Sequence, residues 1–188
     1  MYHIKNDPRQ KKSAQLLSDA TVLLLRKAGE AREEDGAALT ISGICQEAGV
    51  SRSTFYRLFD TTDDVLAFLC DSVFDAILSE CAEKKKAGAA FSPAEVYGKW
   101  LTAYQNCLAG LLRLGKLHVL MEAHRKALYQ YADTLFPDMD KSSNEFVFFS
   151  EMRSGVLLGA VRAWLRTGQE TPIAEIIQFC NTQLRFRF

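Results

Sequence analysis

The chain has no surplus charge of either sign: 23 Lys and Arg balance 23 Asp and Glu over 188 residues. A protein that binds polyanions over its whole surface carries a large basic excess, so any nucleic-acid contact here must come from a local cluster of cations. Histidine is scarce, and the five cysteines (45, 70, 81, 107 and 180) are scattered. No CxxC pair or Cys/His group has metal-site spacing, which leaves reduced, buried thiols and a cytoplasmic setting as the expectation. His118, Glu122 and His124 do not rescue a metal site. On a helix, position 124 is turned by about 200° from position 122. No apolar run approaches the roughly 20 residues of a membrane span, and the polar first residues lack the apolar segment of a signal peptide. There is no GxSxG, no phosphate loop and no HExxH motif, so the reading is a soluble non-enzyme without cofactor or metal.

What is abundant is helical periodicity. The chain is 48% hydrophobic, enough for a sizeable core. Leu17, Thr21, Leu24, Leu25 and Ala28 form one stripe, predicting a helix over 13–28 that Gly29 ends after a polar, frayed stretch 1–12. A charged loop 30–38 follows. Val65, Leu66, Leu69, Val73, Ile77 and Cys81 keep the period along a helix of about 62–86, opened by the capping pattern Thr61-x-x-Asp64. Ser92-Pro93-Ala94-Glu95 opens another helix, which Gly110 and Gly115 interrupt. Further helices are expected over 118–135, from Ser142 to about Arg166, and after Thr171-Pro172. Nothing reads as a strand or a repeat, so the fold class is all-α.

The densest information lies in Thr40–Phe59, TISGICQEAGVSRSTFYRLF. Ile41, Ile44 and Cys45 mark the inner face of one short helix, and Phe55, Leu58 and Phe59 that of the next. Ala48-Gly49-Val50 between them offers a glycine for positive φ and an apolar plug for the corner. Ser51 supplies a side-chain oxygen for the orphan amides of the second helix. Arg52, Ser53, Thr54, Tyr56 and Arg57 then present small or cationic donors suited to base edges and phosphates. With Thr40 and Ser42 beside them, they define a helix-turn-helix whose recognition helix covers 51–58. Leu24, Leu25, Ile41, Ile44, Val50, Phe55 and Phe59 close its core. The basic cluster Lys5, Arg9, Lys11 and Lys12 precedes it.

AGVSRSTFYRLF, followed by an acidic, threonine-rich helix start, closely resembles the DNA-binding domain of TetR/AcrR-family transcriptional regulators. AVRAWLRTGQETPIAEI resembles the end of many such proteins. The resemblance implies an N-terminal three-helix DNA-binding domain, 1–62, and a larger helical effector-binding and dimerisation domain, 63–188. It also implies a homodimer on a palindromic operator, with repression as the commoner role. Two positions depart from the family: Leu58 and Thr62 stand where a histidine and a lysine commonly touch the DNA backbone, and Asp60 adds an anion nearby.

Two further residue sets follow. Gly155, Gly159, Ala160 and Ala163, with Trp164, place small residues on one long helix, and Ile173, Ile176, Ile177 and Cys180 give the last helix an apolar stripe. Small residues permit close helix approach, so these two helices are the expected dimer interface. Phe68, Trp100, Tyr104, Cys107, His118, Met121, Phe146 and Phe149, with His124 and Met152, are the candidates for a small-molecule effector cavity of the type the resemblance implies. Two alternatives remain at this point: a regulator controlled by a partner protein, its cavity filled by its own side chains, or an interaction protein that has lost DNA binding.

Overall fold

The computed structural model describes residues 2–4, 6–30 and 38–183. Most of the expected loop 30–38 lies outside them. Among the described residues there are ten helices: α1 Pro8–Glu30, α2 Ile41–Ala48, α3 Arg52–Tyr56, α4 Thr62–Lys86, α5 Pro93–Ala103, α6 Gln105–Arg113, α7 His118–Gln130, α8 Ala132–Leu135, α9 Asn144–Arg166 and α10 Ile173–Gln183. No strand occurs among the described residues, and none of their helices is long and apolar enough to cross a membrane. By internal contacts the chain forms two compact units, Met1–Cys70 with Asn106–Val119, and Asp71–Gln105 with Leu120–Phe188. The unbroken helix α4 contributes to both.

In the first unit α1 begins at Pro8, five residues ahead of the start that apolar spacing marks. Asp7 explains the extension: its carboxylate accepts from the Arg9 amide at 2.8 Å and its carbonyl from the Lys11 amide at 3.0 Å. Proline at the first helical position needs no amide partner. The expected frayed arm is therefore ordered in part. The His3 amide donates to the Leu58 carbonyl at 2.8 Å, and the Tyr2 ring meets Phe59 and Phe68 edge-on. The core of this unit unites Ala14, Leu17, Ile44, Cys45, Phe55, Leu58, Phe59 and Val65, with Leu24, Ile41 and Val50 packed against it.

Gly29 and Gly110 do something other than break helices. A Cβ on Gly29 would lie 2.1 Å from the Asn106 carbonyl oxygen, and one on Gly110 would lie 2.2 Å from that of Leu25. Both glycines stay helical and let α1 and α6 cross backbone to backbone. Leu25, fully buried, belongs to this crossing.

In the second unit, Phe74, Ile77 and Leu78 of α4 are buried, as are Leu128 of α7 and Phe146, Leu157, Val161 and Trp164 of α9. Helix α10 packs on α5 and α9. The single helix expected over 118–135 is divided at Tyr131, whose φ of −100° and ψ of 8° leave the helical region. Its hydroxyl donates to Asp75 at 2.8 Å, and Gln130 reaches the same carboxylate at 2.6 Å. Ser143, not Ser142, caps α9, accepting from the Phe146 amide at 3.2 Å. Cys45, Cys70, Cys81 and Cys107 are buried free thiols, and Cys180 is half-buried.

Candidate functional site

The helix-turn-helix is assembled by local hydrogen bonds that its sequence dictates. Thr40 Oγ1 accepts from the Gly43 amide at 3.1 Å and starts α2. Gly49 ends it in the left-handed region, at φ 64° and ψ 29°. The Gly49 amide donates to Gln46 at 3.3 Å and the Val50 amide to Cys45 at 3.0 Å, which satisfies carbonyls the helix end would leave orphaned. Ser51 then caps α3, its Oγ accepting from the Thr54 amide at 3.2 Å. The recognition helix is shorter than its 51–58 pattern. Only Arg52–Tyr56 is α-helical, and the chain turns through Arg57 so that Leu58 and Phe59 both donate back to the Phe55 carbonyl. Those two residues are drawn into the core, and that is what shortens the helix.

The outward face keeps its polar groups together. Thr40, Ser42, Ser51, Arg52, Ser53 and Arg57 are exposed, Thr54 is half-buried, and Tyr56 is 55% exposed. Behind them Phe55 is completely buried. Arg52 Nη2 donates to Ser42 Oγ, linking α3 to α2. A flexible guanidinium is thereby held over the surface it would present to DNA.

The two departures from the family, Leu58 and Thr62, and the nearby Asp60 are accommodated within the unit. Leu58 is wholly buried. Asp60 meets His3 Nε2 at 2.9 Å, and its amide donates to the Asp64 carboxylate at 3.0 Å. Thr62 is the first residue of α4.

The second unit holds a cavity of about 500 Å³ formed by α4, α5, α7, α9, α10 and the end of α8. Tyr97 and His124, both lining it, belong to a hydrogen-bonded chain of three side chains. Tyr97 Oη lies 2.7 Å from His124 Nε2, and His124 Nδ1 lies 2.9 Å from Ser154 Oγ. His124 and Ser154 are almost completely buried. Burial, with the Arg153 guanidinium adding to it, lowers His124 to about 3 and keeps the imidazole neutral; burial pushes the Tyr97 phenol up. The Cys81 thiol, also lining the cavity, is raised to about 11 by burial and is no thiolate.

Of the effector candidates, Phe149 lines this cavity, as do His124 and Met152. Phe146 supports Phe149 from behind at 5.6 Å between ring centroids and is fully buried. Trp100 and Tyr104 stack on each other at 6.5 Å, with the indole N–H given to Glu80 at 3.1 Å. Met121 is half-buried and not among the lining residues. Phe68, Cys107 and His118 belong to the other unit: Phe68 packs on Phe59, the Cys107 thiol is 3.6 Å from the Val22 carbonyl, and His118 is exposed. Tyr97 escaped the sequence reading. The spacing of Ala94, Tyr97 and Leu101 on one face of α5 was the available signal.

The proposed interface residues divide by face. Ala160, Trp164, Ile173 and Ile177 point into their own unit and are buried. Gly155, Gly159 and Ala163 are exposed, and a Cβ on either glycine would meet nothing within 4 Å. Phe148, 68% exposed, and Met152, 58% exposed, continue their stripe along α9. On α10, Phe179 is 63% exposed, and Ile176 and Cys180 are half-buried.

A capped two-helix corner with an exposed polar second helix and an apolar interior defines the first unit as a DNA-binding helix-turn-helix domain. Residues 24–68 match the family model of bacterial regulatory proteins of the tetR family. Residues 24–68 are thus a DNA-binding domain of the tetR family, the kind that transcriptional regulators carry. A search of curated proteins gives no match. Among solved structures, the fatty acid degradation regulator FadR from Bacillus halodurans has a similar fold, with a TM-score of 0.54 at 19% identity, over 97% of this chain and all of that one.

Proposed function

We propose that the chain acts as a homodimer on a palindromic operator, most simply as a repressor, and that a small molecule held in the cavity of the second unit controls it. The observation that carries the reading is the exposed face of α3, with Arg52, Ser53, Tyr56 and Arg57 together over a buried Phe55. Five helical residues read only a few base pairs, so useful specificity needs a second copy of the helix on a two-fold axis. The uncovered stripe of Phe148, Met152, Gly155, Gly159 and Ala163 supports such an axis along α9, with Phe179 of α10 alongside.

Control by a small molecule is favoured over control by a partner protein because the second unit keeps an open cavity and does not fill it with its own aromatics. Retained DNA binding is favoured over its loss because Leu58 has become core and Asp60 faces His3, so neither departure leaves a bare anion on the reading face. An effector acts by preferring one of two conformations, and α4, continuous through both units, carries the difference to the recognition helix.

The test is selection of binding sites from random duplex DNA by the purified protein at two salt concentrations. The expected product is a palindrome bound more weakly at high salt. No enriched motif from folded protein at low salt would overturn the reading in favour of an interaction protein.

A further inference from the structure

Ser154 fixes where the protons lie in the chain Tyr97–His124–Ser154. It is fully buried on α9, and among the described residues its Oγ has one partner, His124 Nδ1 at 2.9 Å. A buried hydroxyl with an unpaired hydrogen costs about 1–3 kcal/mol, so Ser154 donates and Nδ1 accepts. Burial keeps the imidazole neutral, and a neutral imidazole carries one proton, which then sits on Nε2. Nε2–H therefore donates to Tyr97 Oη at 2.7 Å, and the phenol retains its own hydrogen. That oxygen has no other partner among the described residues, so the Tyr97 O–H is left without an acceptor there. The reverse direction would leave the unpaired hydrogen on Ser154, which is not among the lining residues of the cavity. This direction leaves it on Tyr97, which is half-buried and lines the cavity together with His124.

We infer that the effector presents an uncharged acceptor oxygen, a carbonyl on an otherwise apolar body, to the free O–H of Tyr97. This rests on the reading of the cavity as the effector site. With its oxygen already accepting from Nε2–H, the phenol offers a ligand chiefly its own O–H. A neutral donor matches a neutral acceptor without the desolvation that a carboxylate would require. Leu78, Phe91, Leu128 and Phe136 supply apolar wall for the body of the ligand. Ser154 is a positioning residue in this arrangement. It sets the tautomer of His124, and the tautomer makes Tyr97 a donor.

Octan-2-one and 2-methyloct-1-ene, which differ only in C=O against C=CH2, test this with the whole chain. The carbonyl stretch of the bound ketone should lie at lower wavenumber than in hexane, and the shift should vanish in Tyr97→Phe. By calorimetry, Tyr97→Phe should weaken ketone binding about three- to tenfold and leave alkene binding unchanged. In the parent protein, nitrogen NMR of His124 should show a protonated Nε2 and a bare Nδ1, a readout that depends on no variant. A proton on Nδ1, an unshifted carbonyl stretch, equal losses for the two probes in Tyr97→Phe, or binding of the alkene without the ketone would overturn the inference while leaving the cavity as an effector site. Binding of neither probe would overturn it together with the effector reading on which it rests.

Discussion

Arg52 and Ser42, ten residues apart, meet across the corner between α2 and α3, the guanidinium donating to the hydroxyl. The bond belongs to the free protein. A cation that is already oriented loses less conformational entropy when it docks on DNA than one that is free to swing. Arg52→Ala should weaken operator binding by about 1–3 kcal/mol if the guanidinium reads a base edge, with no loss of thermal stability. Ser42→Ala should weaken it less. Fluorescence anisotropy on the selected duplex checks both, and unchanged affinity in Arg52→Ala would remove α3 from the role assigned to it.

Arg57 lies beyond the last α-helical residue of α3 and is exposed. As a phosphate contact it contributes sequence-independent affinity. Arg57→Ala should weaken binding to all duplexes alike and reduce the slope of log K against log salt by about 1. A change confined to one base position would instead make Arg57 a reader.

Gly49 and Gly110 predict opposite kinds of damage from the same substitution. At Gly49 a Cβ meets nothing within 4 Å, but φ is 64°, so Gly49→Ala should cost about 1–2 kcal/mol through left-handed strain alone. At Gly110 the backbone is helical, but the new methyl group would sit 2.2 Å from the Leu25 carbonyl oxygen. Gly110→Ala must push α6 off α1, and should cost more than Gly49→Ala or prevent folding of the first unit. Chemical denaturation ranks the two. Equal, mild losses would contradict the close crossing.

The sequence was most informative where chemistry is local. Thr40, Gly49 and Ser51 cap or turn helices by bonds to neighbours within three residues, so spacing alone disclosed the corner and the face beside it. Gly29 and Gly110 were misread as helix breakers because a glycine that ends a helix and one that admits another backbone look identical in one dimension. The cavity was the least legible feature. Aromatic residues that fill a core and those that line a space have the same periodicity. Trp100 and Tyr104 stack on each other while Tyr97, three residues before Trp100, bonds to His124. On α9 the small residues were visible, but Phe148 and Met152 could be placed on the outer face only once the buried side of that helix was known.

His124 gives the second unit a pH dependence whose sign is fixed. Its folded pKa is depressed from 6.5 to about 3. Above pH 6.5 the imidazole is neutral in both folded and unfolded chains and contributes no slope. As pH falls from 6.5 towards 3 the unfolded chain takes up a proton that the folded chain refuses, so stability drops by about 1.4 kcal/mol per pH unit at most. Between pH 7 and 5 the protein should lose roughly 2 kcal/mol through this group. His124→Gln, less stable at pH 7, should show a smaller loss over the same interval in urea unfolding. Identical losses would mean that His124 is not held neutral by burial.

The exposed stripe on α9 predicts the assembly. Phe148→Glu combined with Phe179→Glu places carboxylates on both helices without touching the buried Trp164 or Ile173. Sedimentation velocity should show a dimer for the parent chain and a monomer for the double variant, with unchanged helicity. A variant that remains dimeric would move the interface elsewhere.

The most direct measurement combines symmetry with DNA. The selected duplex is compared with one in which five base pairs, half a helical turn, are inserted between its half-sites. Two recognition helices fixed on a dimer should then face opposite sides of the duplex, and affinity should fall at least a hundredfold towards the non-specific level. Equal affinity for the two duplexes would mean that each chain reads its site alone, and would contradict the homodimeric operator reader.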